Sequence, residues 1–124
     1  MIPVAGNLPI HLCCQSVDMR KNFDGLCAIV TNGFGKDPLH DGVFVFVNKS
    51  RDKMKLLVWD RYGFWLHYMR LEAGRFQMPP ADTAAGATHE AMRVTAEQLL
   101  LIVEGIDLSS VRRRKRYDSS RTTT

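Results

Sequence analysis

Residues 54–72 read MKLLVWDRYGFWLHYMRLE, and they hold both tryptophans and two of the three tyrosines of the chain. Two apolar and aromatic runs flank Asp60-Arg61-Tyr62-Gly63, a four-residue turn that begins with Asp and ends with Gly. Such a turn between strand-like runs predicts a β-hairpin. A third strand-like run, GVFVFV at residues 42–47, reaches the hairpin through polar residues 48–53. We therefore predict an antiparallel β-meander that organises the core.

The segments on either side of the meander predict a strand and two helices. Residues 9–14 predict a short strand that begins with Pro9. A helix is predicted after it, with Ser16 or Asp18 as its N-cap and Gly33 or Gly35 at its end. After the meander, residues 75–79 predict a last short strand and residues 81–88 a linker. A short helix over residues 95–105 completes the pattern, with Thr95 or Thr88 as N-cap and Gly105 as the terminating residue.

This order predicts an α+β fold of two layers, with both helices on one face of an antiparallel β-meander of three to five strands. One helix follows the first strand and the other is short and C-terminal. At 124 residues the chain is long enough for one domain, which we place at residues 1–110. Residues 111–124 contain too little apolar material to fold alone, so we predict a disordered basic tail there.

The composition indicates an ordinary globular protein of the cytoplasm. The chain is 45% hydrophobic and 24% charged, it has no apolar run near the ~20 residues of a membrane span, and its start lacks the basic residues of a signal peptide. We therefore expect no membrane partner. Three cysteines without a Cys-x-x-Cys pair give little support to a disulfide framework, a zinc site or a redox motif.

The basic residues of the tail are the sharpest functional feature. Residues 111–124 hold six Lys or Arg residues and a single acid, whereas the whole chain has a net charge of only +4. Such a run neutralises several phosphates and releases counterions, which favours nucleic acid. The alternative is a solubilising tail or a link to an acidic protein. The run consists of Arg112, Arg113, Arg114, Lys115 and Arg116.

Further candidate phosphate contacts lie in the body of the domain. Lys49, Arg51, Lys53 and Lys55 occur at every second position, which would place them on one face of a β-ribbon; the alternative is an edge hairpin kept soluble by its charges. Arg20 and Lys21 oppose the dipole of the predicted helix and therefore suggest an anionic partner. An internal salt bridge from Arg20 to Asp60 or Asp24 is the alternative.

The aromatic residues of the predicted sheet have two interpretations. Aromatic side chains on an exposed sheet face stack on the bases of single strands, whereas in a small domain they usually form the core. We favour the core for this set, which comprises Phe44, Phe46, Trp59, Trp65 and Tyr68.

No catalytic residues, metal ligands or cofactor are predicted. The four histidines lack metal-ligand spacing, and Cys13, Cys14 and Cys27 are interpreted as small buried residues. The sequence contains no phosphate loop and no nucleophile elbow. A metal-dependent nuclease would need Asp18, Asp24 and Asp60 around one ion, and Asp24 lies six residues beyond Asp18 on the same predicted helix.

Two segments resemble a known family. DMRKNFDGL at residues 18–26 and LVWDRYGFWL at residues 57–66, followed by RLEAGRF at residues 70–76, are similar to motifs of the accessory protein of bacterial insertion sequences of group sixty-six. This protein, often called TnpB, is the product of the element's second reading frame. Met69 stands where the family usually has Lys, which weakens binding here if that lysine is a contact, and Asn22 replaces a small residue.

The resemblance implies a role in transposition beside a separate transposase that carries the strand-transfer carboxylates. We therefore predict a non-catalytic accessory protein that binds DNA, the transposase complex or both through its basic residues. One alternative is a module that binds the transposase without touching DNA, and another is the metal-dependent nuclease. A homo-oligomer is compatible with all three.

Overall fold

The computed structural model describes residues 7–79 and 91–105 of the chain. The strands in these ranges are β1 (Ile10–Cys13), β2 (Val43–Val47), β3 (Lys53–Asp60), β4 (Gly63–Arg70) and β5 (Ala91–Val94). The helices are α1 (Phe23–Ala28), which continues as a π-helical turn over Ile29–Gly33, and α2 (Ala96–Glu104). No helix of this part of the chain is long and apolar enough to cross a membrane. The predicted linker at 81–88 and the basic tail lie outside the described residues.

The five strands form one mixed sheet in the order β4-β3-β2-β1-β5. The meander of β2, β3 and β4 is antiparallel as predicted, and β5 is antiparallel to β1. A purely antiparallel sheet is nevertheless the wrong prediction, because β1 and β2 are parallel. Residues 14–42, which contain α1, form the crossover that parallel neighbours require.

The two helices cover opposite faces of the sheet, so the fold has three layers. The prediction of two layers is therefore wrong. Val43, Val45 and Val47 of β2 belong to the core cluster that contains Leu99 and Ile102 of α2. Phe44 and Phe46, which point to the opposite face, belong to the cluster that contains Leu26 of α1. A strand that is apolar at every position, as β2 is, must be buried on both faces.

The central hairpin is confirmed in detail. β3 ends at Asp60 and β4 begins at Gly63, and these two residues pair across the turn. Only Arg61 and Tyr62 lie between them, and Arg61 adopts a left-handed φ of 41°. Positive φ values are typical of the tight turns that join antiparallel strands.

Two predicted elements differ from the structure. α1 begins at Phe23, after the non-helical residues 18–22, and its N-cap residue is Asn22 instead of Ser16 or Asp18. Residues 75–79 form no strand. Instead Phe76 is buried, and its N–H donates to the Arg51 carbonyl at 2.7 Å, so this segment closes one edge of the core. The strand that the sequence analysis missed is β5.

The boundaries of α2 are confirmed. Thr95 Oγ1 accepts a hydrogen bond from the Gln98 N–H at 3.0 Å, and the Gln98 side chain accepts one from the Thr95 N–H at 2.9 Å. This reciprocal pair is a capping box. Gly105 ends the helix in the left-handed conformation, with φ of 79°. The structure therefore selects Thr95 over Thr88 as the N-cap.

Candidate nucleic-acid interface

Three of the predicted cations, Arg20, Lys49 and Lys53, line one shallow depression of about 560 Å³. It lies between the loop that precedes α1 and the turn that joins β2 to β3. We call it the basic depression. The side chains that complete it include Ser16, Asp18, Asn48, Ser50 and Tyr68. Residues from three separate parts of the chain thus meet at one surface.

Asn48 fixes the shape of the β2–β3 turn. Its Oδ1 accepts hydrogen bonds from the N–H groups of Asp52 and Lys53, each at 3.0 Å, and its Nδ2 donates to the Asp52 carboxylate at 2.7 Å. The last of these bonds is the main cause that lowers the pKa of Asp52 below its ordinary value. Lys53 lies 3.6 Å from the same carboxylate, and Lys49 is exposed in the turn.

Arg20 has a carboxylate partner two residues before it. Its Nε and Nη2 atoms donate to the two oxygens of Asp18 over 2.7 to 3.1 Å, and these bonds lower the pKa of Asp18 to about 2. The predicted salt bridge from Arg20 to Asp60 or Asp24 is therefore wrong, because a local turn brings the Asp18 carboxylate to the guanidinium group. The Arg20 side chain remains 92% exposed, so the donors that Asp18 leaves unused can reach a phosphate.

Lys55 differs from the other lysines of its alternating series, because it is buried. Its Nζ atom donates to the carbonyls of Met19 and Lys21 at 2.8 and 2.7 Å and to Asn22 Oδ1 at 3.1 Å. The three donors of the ammonium group are thereby satisfied. The interpretation of the series as one exposed cationic face is therefore wrong: Lys55 anchors the loop of residues 19–22 to the sheet, and that loop carries Arg20.

The remaining predicted cations do not line the basic depression. Arg51 borders a neighbouring cavity of about 340 Å³, which Lys49 also lines. Lys21 borders another of about 630 Å³ beside α1. The tail cations lie outside the described residues, so their phosphate contacts stay a prediction; they are Arg112, Arg113, Arg114, Lys115 and Arg116.

The aromatic residues divide between the core and the surface. Phe44 and Phe46 are fully buried, and Trp59 packs edge-on against Phe64 with ring centroids 5.0 Å apart. The core interpretation is therefore confirmed for Phe44 and Phe46. Trp65 and Tyr68, in contrast, are 58% and 55% exposed, so for these two it is wrong.

The register of the hairpin reveals further neighbours of the basic depression. Lys53 pairs with Arg70 and Lys55 with Tyr68, and directly opposite residues point to the same face of a sheet. Arg70 is not among the cations predicted from the sequence, although counting outward from the turn at Arg61 and Tyr62 reaches both pairs. Arg70 also contacts Glu72, with 3.0 Å between Nη2 and the carboxylate.

The nuclease hypothesis finds no support in the described ranges. They contain no group of three or more His, Cys, Asp or Glu side chains that could hold a metal ion, so Asp18, Asp24 and Asp60 do not form one.

Burial raises the pKa of the Cys13 thiol, as expected for a small core residue. Cys14 is exposed, which differs from the expected burial.

Comparison with known proteins gives matches that cover most of the chain. A family model described as IS66 Orf2 like protein matches residues 8–113, a range that includes both motifs of the resemblance. The uncharacterized protein y4jC of Sinorhizobium fredii (strain NBRC 101917 / NGR234) is 34% identical over 114 residues, which cover 92% of each chain. The uncharacterized protein y4hO of the same organism is 31% identical over 107 residues, 86% of this chain and 88% of its own. No solved structure matches the chain.

Proposed function

Since the chain belongs to the family of IS66 Orf2-like proteins, we propose that it is a non-catalytic accessory protein of transposition that binds DNA through its basic residues. Membership of the family itself implies a transposition-associated accessory role. The proposal adds the physical means, which is charge: cations on the body and in the tail bind the phosphates of the element's DNA, alone or in the complex with the transposase.

The observation that carries this proposal is the meeting of Arg20, Lys49 and Lys53 around one depression. Arg20 and Lys49 are exposed, and Lys53 is half-buried beside Asp52. Cations that converge on one surface bind several phosphates and release counterions from the DNA. Ser16, Asn48 and Ser50 add neutral polar groups of the kind that also contact the DNA backbone. These groups position a protein on DNA without reading its sequence.

Salt-titrated binding to element-end DNA and to a random duplex tests the proposal. We expect the triple variant Arg20→Ala, Lys49→Ala, Lys53→Ala to bind both duplexes more weakly, and the slope of log affinity against log salt to flatten by about 0.9 for each phosphate that the variant no longer neutralises. Arg93→Ala is the matched control, because Arg93 is an exposed cation on β5, at the other end of the sheet. Equal affinities and slopes for the triple variant and the wild type would refute the role of the depression.

A second candidate function is the binding of the transposase without DNA. β4 is an edge strand, and Trp65 and Met69 are exposed on the face opposite to Tyr68. An edge strand with apolar side chains is suited to pairing with another protein. Co-purification of the transposase that survives nuclease treatment and disappears in Trp65→Ser would favour this function over the first.

A further inference from the structure

Tyr68 adds an exposed aromatic ring to the lining of the basic depression, together with the cations Arg20, Lys49 and Lys53. We infer that the depression binds single-stranded DNA, with one base stacked on the Tyr68 ring and the adjacent phosphates bound by Arg20, Lys49 and Lys53. This inference rests on the proposed function, since it assumes that the protein binds DNA, and it names the form of DNA that the site takes.

The Tyr68 ring packs against the buried ammonium group of Lys55. The Lys55 Nζ atom lies 4.8 Å from the ring centroid, and Lys55 is itself only 3% exposed and bound to three acceptors. The ring face that meets this ammonium group is therefore the inner one. The exposed part of Tyr68 is left for a ligand. A ring that is already oriented loses little conformational freedom when a base stacks on it.

The combination of ring and cations distinguishes single strands from duplexes. Within a duplex each base is stacked on its neighbours and paired, so no π-face is free to lie on a tyrosine. An unpaired base offers its face, and the chain of phosphates on either side of it offers the charges. Cationic grooves with aromatic stacking platforms are the usual sites for single strands. The volume of the depression, about 560 Å³, lies within the range of small-ligand sites.

Trp65 provides an internal contrast. It is as exposed as Tyr68 but points to the opposite face of β4, as alternation along a strand requires. Its Nε1 donates to the Asp60 carboxylate at 3.1 Å, and its ring stacks on His67 with centroids 6.0 Å apart. Trp65 is not among the residues that line the basic depression, which makes it the matched control for an exposed aromatic residue.

Three DNA probes of equal length test the inference at one fixed salt concentration: a thymidine oligonucleotide, the same strand with abasic sites and a random duplex. They are measured with the full chain and with its variants Tyr68→Leu, Tyr68→Phe and Trp65→Leu. We expect Tyr68→Leu to weaken binding of the thymidine strand roughly 5- to 150-fold, the range for the loss of one stacked base. Its affinity for the abasic strand and for the duplex should stay that of the wild type.

Tyr68→Phe keeps the ring and should retain the preference for the thymidine strand, as should Trp65→Leu. The wild type alone gives a further test that needs no variant, because it should bind the thymidine strand more tightly than the abasic strand. Equal wild-type affinity for these two strands would overturn the inference while leaving the proposed function intact, provided that DNA is bound. No binding of any of the three probes would overturn both.

Discussion

Lys53 and Lys55 lie two residues apart on the same face of β3, yet only Lys55 is buried. The difference arises from the loop of residues 19–22, which covers Lys55 and gives its ammonium group two carbonyls and an amide oxygen. One of these acceptors is Asn22, the N-cap residue of α1. A charge in the interior is tolerated when its hydrogen bonds are satisfied, so Lys55 acts as a structural anchor.

Replacing Lys55 by Met should destabilise the protein by about 1–3 kcal/mol, because the carbonyls of Met19 and Lys21 would lose their donor while the apolar volume is largely kept. Urea unfolding measures this free energy. Lys53→Met is the matched control on the same strand face and should change stability by no more than about 0.5 kcal/mol. Similar destabilisation by the two variants would contradict the anchoring role of Lys55.

His11 should make stability depend on pH. It is buried in β1, its Nε2 lies 2.7 Å from the Asp41 carbonyl oxygen, and burial is the main cause that lowers its pKa below the ordinary 6.5. Well above pH 6.5 both the folded and the unfolded state hold a neutral His11. As the pH falls through 6.5 towards the lowered folded pKa, the unfolded state binds the proton first, so stability decreases.

The measurement is thermal unfolding of the wild type and of His11→Gln across this window. His40 acts in the opposite sense, because the Asp37 side chain raises its pKa, but it is present in both proteins and cancels in the comparison. The wild type should lose more stability than His11→Gln on acidification. Parallel curves for the two proteins would rule out the contribution of His11.

At the scale of elements, local chemistry decides some boundaries and not others. The hairpin turn at Asp60–Gly63 and the end of α2 at Gly105 follow from residues within one turn of the boundary, and the sequence predicts both. For the start of α2 the sequence leaves Thr95 and Thr88 as alternatives, and the structure selects Thr95. The sequence does not predict the start of α1, because Asp18 bonds with Arg20 and Lys55 takes the carbonyls of residues 19 and 21. Those bonds hold the chain out of the helix until Phe23, and one partner lies on a distant strand.

The cap of α2 allows a test at this scale. Thr95→Ala removes the oxygen that accepts the Gln98 N–H and should cost about 0.5–2 kcal/mol of stability. Thr95→Ser keeps that oxygen and serves as the control, with stability close to that of the wild type. Chemical denaturation of the three proteins distinguishes the two cases. Destabilisation by Thr95→Ser equal to that by Thr95→Ala would show that the hydroxyl is not the cause.

At the scale of the whole molecule, charge is concentrated where the chain is expected to meet DNA. The net positive charge of the tail at 111–124 exceeds that of the whole chain, so residues 1–110 are close to neutral. The cations of residues 1–110 therefore contribute to DNA binding through their positions and not through net charge. The tail contains five consecutive cations, whereas the basic depression is lined by three other cations and by Tyr68. We therefore expect the tail to set overall affinity and the depression to set the preferred form of DNA.

Deleting residues 111–124 should reduce the affinity for duplex DNA and flatten its salt dependence, because five consecutive cations no longer neutralise phosphates. The ratio of affinities for thymidine and abasic strands should survive the deletion, since Tyr68 is retained. A mutated tail in which Ser replaces the five cations at constant length is the control for chain length. Unchanged duplex affinity in both proteins would contradict the assignment of the tail.

The sequence by itself determined the antiparallel meander, the hairpin turn, the end of α2 at Gly105 and the family, because each depends on residues close together in the chain or on a motif. Only the tertiary structure decided that β1 and β2 are parallel, that the two helices cover opposite faces, and that Lys55 is buried while Tyr68 is exposed among cations. These features depend on which distant segments pack together. The periodicity of one segment does not specify its distant neighbours, since the free energy of burying a side chain depends on the segment that packs against it.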